Sequence, residues 1–403
     1  MVGNMNIMPE ILTAIIVLQL ILSLPLLLPF LRYLVCMLKR KATPGLSNQT
    51  PEADYAIIVT AYEEIAQIPQ VVDSILQMNY ANFLVYVVAD RCDVSQLHIT
   101  DSRVVVLRPE EGLSSNIKSH FYAIDRFQRS HERLTIIDSD NLVDPEYLNI
   151  LNRYFDVGFA AVQGIRKAKN LNTSYACLDE AGDMYYRYID RTLLFQCGSS
   201  ASLAGSGMAF STTCYKRYLR PYRHKKGAGF DKLLQYAIVN DGLRIAFAEE
   251  AVVYDEKTAK SGQLVKQRAR WINTWFKFAL LGGKLLVKGG MRLDFNQFAF
   301  ALMLLRPPLF LVLGGAFAIL LIDLFLMPYM VWYWVATMAA FGFVLWKALR
   351  HFDADRRIYR ALLSAPYFVY HQIIALLNAR RANELSVATK HEEQVEINDL
   401  KSS

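Results

Sequence analysis

The sequence predicts an α/β domain built on a largely parallel sheet and attached to a membrane by three apolar helices. Short β-rich runs alternate with helical runs between residues 55 and 138, the pattern of a sheet covered by helices. Three runs are apolar enough to cross a hydrocarbon core: Ile11–Leu31, Pro308–Leu326 and Tyr329–Trp346. Composition agrees, because 403 residues that are 53% hydrophobic and 20% charged, with mean hydropathy +0.18, are too apolar for an ordinary soluble enzyme. They are also too charged to lie wholly within a bilayer.

Ile11 to Leu31 is 21 residues without formal charge, whereas a secretory signal peptide has an apolar core of roughly 7 to 15 residues and a basic start. Positive charge follows the run instead, at Arg32, Lys39, Arg40 and Lys41, so residues 1–41 read as an uncleaved anchor whose end faces the cytoplasm. The second and third runs, separated by little more than Met327 and Pro328, form a hairpin of spans over 306–349. Tyr329, Trp332, Tyr333 and Trp334 are expected as an aromatic belt at its tip, and Asp323 close enough to that tip to reach the interface. Lys347, Arg350, Arg356, Arg357 and Arg360 return the chain to the cytoplasm. The net charge of +7 sits largely beside the spans, where anionic membrane lipids account for it. No aromatic-interleaved motif points to nucleic acid. Cys36, Cys92, Cys177, Cys197 and Cys214 lack CxxC spacing and are read as free thiols, with no zinc site.

Residues 50–275 then fall on the cytoplasmic side. Tyr55–Thr60 is a strand, Pro69–Met78 a helix opened by its proline, and Phe83–Ala89 a strand ending at Asp90. Arg103–Leu107 is a third strand, Asn116–Arg129 a helix, and Leu134–Ile137 a fourth strand ending at Asp138. In such a sheet the ligand crevice lies outside the carboxyl ends of the strands, where Asp90 and Asp138 fall. The helical stretch Ser174–Phe195 carries Tyr175, Tyr185, Tyr186 and Tyr188, read as packing on the sheet in preference to sugar stacking. Gly205-Ser206-Gly207 makes a tight turn where backbone can approach a ligand. The basic loop Arg220–Gly229 is read as a solvated charge run in preference to a phosphate-attracting lid. After the domain, amphipathic segments at 273–287, 295–305 and 367–377 are expected on the cytoplasmic membrane surface, placing interfacial helices at 276–305 and an interfacial helix and tail at 350–403.

The chemistry lies in an ordered set: Asp90, then Asp138 and Asp140, then Asp231, then Gln267-Arg268-Ala269-Arg270-Trp271. Aspartates suited to a nucleotide and a metal, one suited to a base, and an amide-cation-aromatic cluster suggest an enzyme acting on a nucleotide-linked substrate. A diphosphate leaving group accumulates charge as its bond breaks. Closely spaced carboxylates holding Mg²⁺ or Mn²⁺ meet that need, and Ile136-Ile137-Asp138-Ser139-Asp140-Asn141 supplies them directly after an apolar strand.

Over residues 54–275 and in its membrane layout the chain resembles the family 2 glycosyltransferases, in particular the membrane-integrated branch containing chitin, hyaluronan and cellulose synthases. Thr60-Ala61-Tyr62-Glu63-Glu64 is similar to that family's Pro-Ala-Tyr-Asn-Glu uridine-contact segment, with Thr60 in place of proline. Val88-Ala89-Asp90-Arg91-Cys92-Asp93 resembles its second nucleotide-contact segment, and Lys118 its basic position after the third strand. Asp138 and Asp140 match its Asp-x-Asp, Gly205-Ser206-Gly207 its glycine turn near the acceptor, and Gln267, Arg270 and Trp271 its Gln-x-x-Arg-Trp signature. Phe230 precedes Asp231 where the family often has a second acid.

The resemblance implies a nucleotide-diphosphate-sugar transferase fold of type A and an inverting β-transfer from a UDP-sugar, UDP-glucose or UDP-N-acetylglucosamine. Asp231 would be the general base. Ala61, Tyr62, Glu64, Asp90, Lys118, Asp138, Gln267 and Arg270 would bind the donor. Asp138 and Asp140 would hold the metal, and Gly205, Ser206, Gly207 and Trp271 the acceptor. A growing polysaccharide or oligosaccharide is the expected acceptor, at the inner or plasma membrane in a multi-pass protein. Transfer of one sugar to a lipid carrier or glycolipid is the alternative, and a catalytically silent scaffold or export partner the competitor from another class. Three spans are few for a single-chain polymer channel, so a homodimer or partner subunit enters as a further expectation.

Overall fold

The computed structural model describes residues 7–38, 45–47, 51–95, 97–225, 229–381 and 396–397; the expected basic cluster at Lys39, Arg40 and Lys41, and Lys226 of the basic loop, lie outside these residues. β1 (Tyr55–Tyr62) and β2 (Phe83–Asp90) are buried almost throughout, as unbroken apolar runs such as Ala56-Ile57-Ile58-Val59 require of strands covered on both faces. β3 (Val104–Leu107) and β4 (Arg133–Asp138) pair parallel to this centre. The second half adds β5 (Leu142–Val143), β6 (Ala161–Ala168), β7 (Met208–Ser211) and β8 (Ala246–Asp255), giving one eight-stranded sheet ordered β3-β2-β1-β4-β7-β6-β8-β5. β7 runs antiparallel to both β4 and β6, and β5 antiparallel to β8, so the sheet is parallel in its first half and mixed in its second.

Helices cover the sheet. α1 (Ile7–Leu38) precedes it. α2 (Ile68–Leu76) opens with Pro69 near its start, as read from the sequence. α3 (Asn116–Ile124) stops five residues earlier than expected, since Asp125 and Arg126 close it by bonding back to Phe121 and Ala123. α4 (Tyr147–Asp156) and α5 (Ser174–Arg187) follow, and α5 runs into a π-turn, Tyr188–Thr192, and a short α6 (Leu193–Gln196). Tyr185 and Tyr188 on this stretch are buried, in keeping with packing. α7 (Thr212–Leu219) and α8 (Phe230–Asn240) flank the basic loop.

Beyond the sheet, α9 (Ser261–Arg292) is one continuous helix of 32 residues. It carries the Gln267–Trp271 signature and runs straight through residue 275, where the sequence suggested a domain end. α10 (Phe295–Leu305) folds back along it, followed by α11 (Leu309–Leu326), α12 (Pro328–His351), α13 (Arg356–Ala361) and α14 (Ala365–Asn378). α1 from Glu10, α11 and α12 are long and apolar enough to cross a membrane. Trp334 is not part of an exposed aromatic belt: it is fully buried, and its Nε1 donates to Gln19 Oε1 at 2.8 Å. Asp323 is likewise fully buried and accepts from Gln19 Nε2 at 3.1 Å, because polar groups inside an apolar bundle seek one another. Cys36 and Cys197 form a disulfide joining α1 to the end of α6. This corrects the free-thiol reading for that pair, which 161 intervening residues concealed; Cys92, Cys177 and Cys214 are free and buried.

Gly207 has φ +63°, and a Cβ there would meet Val253 Cγ2 at 2.8 Å, whereas Gly205 at φ +88° faces open space. Gly207→Ala should therefore destabilise the protein by about 2–4 kcal/mol and Gly205→Ala by only about 1–2 kcal/mol. Denaturation midpoints of the two variants check this; equal losses would show that Val253 is not a barrier.

Candidate active site

Strand register brings the first group of residues together. Tyr62 pairs with Asp90 across β1 and β2, and Thr60 with Asp138 across β1 and β4. The strand order reverses between β1 and β4, so their carboxyl ends open onto the crevice where α/β sheets bind ligands. Three non-glycine residues near this edge, Glu63 (φ 59°), Arg91 (φ 58°) and Ser114 (φ 49°), adopt left-handed backbone, a strain that collects at functional sites. Asp90 is buried, and its carboxylate accepts from the backbone N–H of Leu113 at 2.9 Å and of Ser114 at 2.7 Å. It therefore fastens the loop that enters α3. Ser114 Oγ reaches Tyr62 OH at 3.4 Å. Glu64 Oε1 accepts from the N–H of Ile65 and Ala66, each at 3.1 Å, Ala61 is buried, and Lys118 is half-buried in the first turn of α3.

The Asp-x-Asp turn is built next to this edge and pinned from below. Ser206 is fully buried; its Oγ accepts from Asp138 N–H at 3.0 Å and bonds Asn141 Oδ1. The glycine turn thus sets the Asp138–Asn141 turn, and the Ser206 hydroxyl is spent on that task and not presented to an acceptor. Asp140, 7% exposed, accepts from Glu256 N–H at 3.4 Å. Glu256 in turn accepts from Gln67 Nε2 at 3.2 Å, and Gln67 Oε1 from Lys169 Nζ at 3.0 Å.

Asp231 stands in the first turn of α8, where the helix dipole favours a carboxylate, with Lys232 Nζ 3.6 Å away and its own side chain 18% exposed. The helix begins at Gly229 (φ +95°), and a Cβ there would meet Phe278 at 2.5 Å and Thr274 at 3.0 Å. This close approach sets the start of α8 against α9 about one turn beyond Trp271. Ser115 Oγ donates to Lys225 O at 2.9 Å, so the described part of the basic loop is tied to the start of α3. On α9, Gln267 Oε1 accepts from Thr258 Oγ1 at 3.0 Å. Burial lowers the pKa of Arg270. Trp271 is 47% exposed, with the Arg268 guanidinium 4.3 Å from its ring centre.

Beneath these residues lies a buried charge network that the sequence reading did not find. Lys257 Nζ contacts Asp183 at 2.7 Å, Glu180 at 3.0 Å and Asp255 at 3.1 Å. Arg187 contacts Glu180 at 3.1 Å and Asp183 at 3.5 Å, while Arg166 contacts Asp255 at 3.1 Å. Burial opposes the charge on Arg166, but Asp255, Asp183, Asp138 and Asp140 together hold it above the ordinary arginine range. Burial likewise opposes Lys257, which Asp183, Asp255 and Glu180 raise above the lysine range, and Asp183 is held well below the carboxylate range, against burial, chiefly by Lys257 and Arg166. Arg268 extends the network to α9 by pairing with Asp179. The available signal was the spacing of Glu180, Asp183 and Arg187 on one face of α5, which reads as a solvated stripe until the fold turns it inward.

The profile described as "Glycosyltransferase like family 2" matches residues 51–274, more than half of the chain. The chain belongs to glycosyltransferase family 2. Its fold is that of the GT-A glycosyltransferases, as expected. Among solved structures it is similar to the mannosyltransferase PcManGT from Pyrobaculum calidifontis in complex with GDP-Man and Mn²⁺, at TM-score 0.59 and 15% identity over 91% of this chain and 97% of that one. It also matches residues 1–349 of TarS from S. aureus in complex with UDP, at TM-score 0.41 and 15% identity over 82% of this chain and 90% of that one. No curated protein matches significantly.

In this glycosyltransferase the charge network should be worth more than any exposed pair. Lys257→Met is expected to cost about 3–5 kcal/mol, because it strands buried carboxylates, and Lys257→Met with Asp183→Leu should recover part of that loss. Thermal unfolding of single and double variants decides; additive losses would dissolve the proposed coupling.

Proposed function

We propose that this family 2 enzyme is a membrane-integrated, inverting β-glycosyltransferase that moves glucose or N-acetylglucosamine from a UDP-sugar onto a growing oligosaccharide or polysaccharide. The observation that carries this reading is the Asp138–Asn141 turn, set at the strand-order reversal and pinned by Ser206 and Glu256. Among the described residues no three His, Cys, Asp or Glu side chains gather as a metal cage. Two carboxylates on one turn nevertheless suit Mg²⁺ or Mn²⁺, ions commonly held by one or two carboxylates together with substrate phosphates. Asp138 and Asp140 would hold that ion, whose chemistry is to neutralise the departing diphosphate.

The other roles follow from placement. Ala61, Tyr62, Glu64, Asp90 and Lys118 border the nucleoside end of the crevice, and Asp90 would act there partly through the Leu113–Ser114 loop that it fastens. Gln267 and Arg270 would steady the diphosphate from the start of α9. Asp231, at the start of α8 beside that helix, would take the proton from the attacking acceptor hydroxyl. Trp271 offers one ring face to the acceptor sugar, since Arg268 lies over the ring. Gly205 and Gly207 shape the neighbouring turn and Ser206 serves by positioning the Asp-x-Asp. Three candidate spans favour a second reading, transfer of one sugar to a lipid carrier, unless a second copy or a partner subunit completes a channel.

Asp231→Asn should lower UDP release by ~10² to 10⁴ with UDP binding retained, and a chelator should abolish activity that Mn²⁺ or Mg²⁺ restores. Wild-type-like release by the variant would remove Asp231 from the mechanism, and activity surviving the chelator would remove the metal. Product size with one radiolabelled UDP-sugar separates the two acceptor readings: a single addition on lipid, unchanged by excess donor, selects the second.

The positively charged flanks support a cytoplasmic catalytic domain in this reading. In a variant without native cysteines, Leu326→Cys at the exposed hairpin tip should react with an impermeant thiol reagent in intact cells while Arg356→Cys is protected. The opposite labelling pattern would invert the topology.

A further inference from the structure

A cavity of about 380 Å³ lies between α1, the end of α10 and the first turns of α11. Its walls are almost wholly apolar, from residues such as Leu22, Leu28, Leu311 and Ile319, and the Trp334 ring contributes to them. Pro25 and Pro29 sit inside α1 and line it. A proline inside a helix removes one N–H and pushes the chain away from the preceding turn, which leaves the carbonyls of Ile21 and Pro25 without their usual intrahelical donors.

Two cations line the same cavity, Arg32 from α1 and Arg306 from the α10–α11 connection. Arg306 Nη1 donates to Asp190 Oδ1 at 2.7 Å and Nη2 to Oδ2 at 2.5 Å, while Arg32 Nη2 donates to Ala299 O at 3.1 Å. A guanidinium carries five N–H donors, so these contacts leave both arginines able to bind more. Two guanidiniums here face one carboxylate. Positive charge in the lining of an apolar cleft between candidate spans is complementary to a lipid with an anionic head.

We propose that this cavity is a lipid site: it takes one hydrocarbon chain of a lipid whose headgroup is a negatively charged phosphate, with Arg32 and Arg306 at the phosphate. The chain would lie along the side of α1 that carries Pro25 and Pro29, and the phosphate would sit near Arg306, which Asp190 holds. This is independent of donor, acceptor and sugar. A free anion would satisfy the arginines but leave the apolar walls empty, so the lipid is the occupant the whole cavity fits.

The test uses the full-length protein in maltoside micelles, with phosphatidylglycerol, phosphatidylcholine or inorganic phosphate added and the unfolding midpoint measured. Phosphatidylglycerol should raise the midpoint by about 5 °C more than phosphatidylcholine, and inorganic phosphate should not. Arg32→Gln should lose that increment. Gly315→Leu should lose it with every charge intact, because Gly315 lines the cavity and a Cβ there meets nothing within 4 Å; this variant keeps the test decisive if Arg32→Gln fails to fold. Equal effects of the two lipids, an equal effect of inorganic phosphate, or an increment that survives in Gly315→Leu would each overturn the proposal.

Discussion

Lys257 is the group on which the site depends. It lies two residues past β8, 3% exposed, and meets three carboxylates from two elements. Ionised groups at such depth are tolerated only when nearly every charge is answered. Here Arg166, Arg187 and Lys257 face Glu180, Asp183 and Asp255, three charges of each sign. The balance locks α5 against the ends of β6 and β8. It thereby fixes Glu256, whose N–H meets Asp140, and through Asp179 and Arg268 it fixes the first turns of α9. One network consequently sets both the Asp-x-Asp turn and the signature helix, which approach the crevice from distant parts of the sequence.

A second charged junction ties the catalytic domain to the apolar helices. Asp190 projects from the π-turn after α5 and holds Arg306 bidentately, a geometry that restrains orientation as well as distance. The disulfide between Cys36 and Cys197 crosses the same region. The π-turn has a physical role in this: one extra residue in the helix rotates the next turn about the axis, so Glu180, Asp183 and Arg187 can point to the site network while Asp190 points to the spans.

How much of this was legible in the sequence depended on how local each signal was. β1, β2, β3 and β4, with Asp90 and Asp138 at their ends, were readable because apolar runs bounded by acids and turns need no tertiary information. The three apolar spans were readable for the same reason. The role of Ser206 was not, since a Gly-Ser-Gly turn exposes nothing about which strand end it will support. The burial of Trp334 and Asp323 depended on Gln19, some three hundred residues away, so the belt reading lacked its partner. The domain end expected at residue 275 falls inside one continuous helix. Gly282 and Gly289 in that helix are where α10 packs, a contact that no local pattern announces.

That packing sets how α9 and α10 lie together. A Cβ on Gly282 would meet Leu304 and Leu305 at 3.0 Å, and one on Gly289 would meet the Phe298 backbone N at 2.6 Å. The two glycines are seven residues apart, hence on one face of the helix, and they let α10 lie almost against the backbone of α9. Glycine weakens a helix by roughly 1 kcal/mol relative to alanine, a cost that close helix–helix contact offsets by dispersion along the seam. The result is a stiff pair. It leads to Arg306, bound to Asp190 just before α11. A helix of 32 residues is about 48 Å long, and it runs unbroken from Gln267 and Trp271 to the turn that leads into α10. The signature therefore shares one helix with the glycine seam on which α10 packs, and α10 leads through Arg306 to α11.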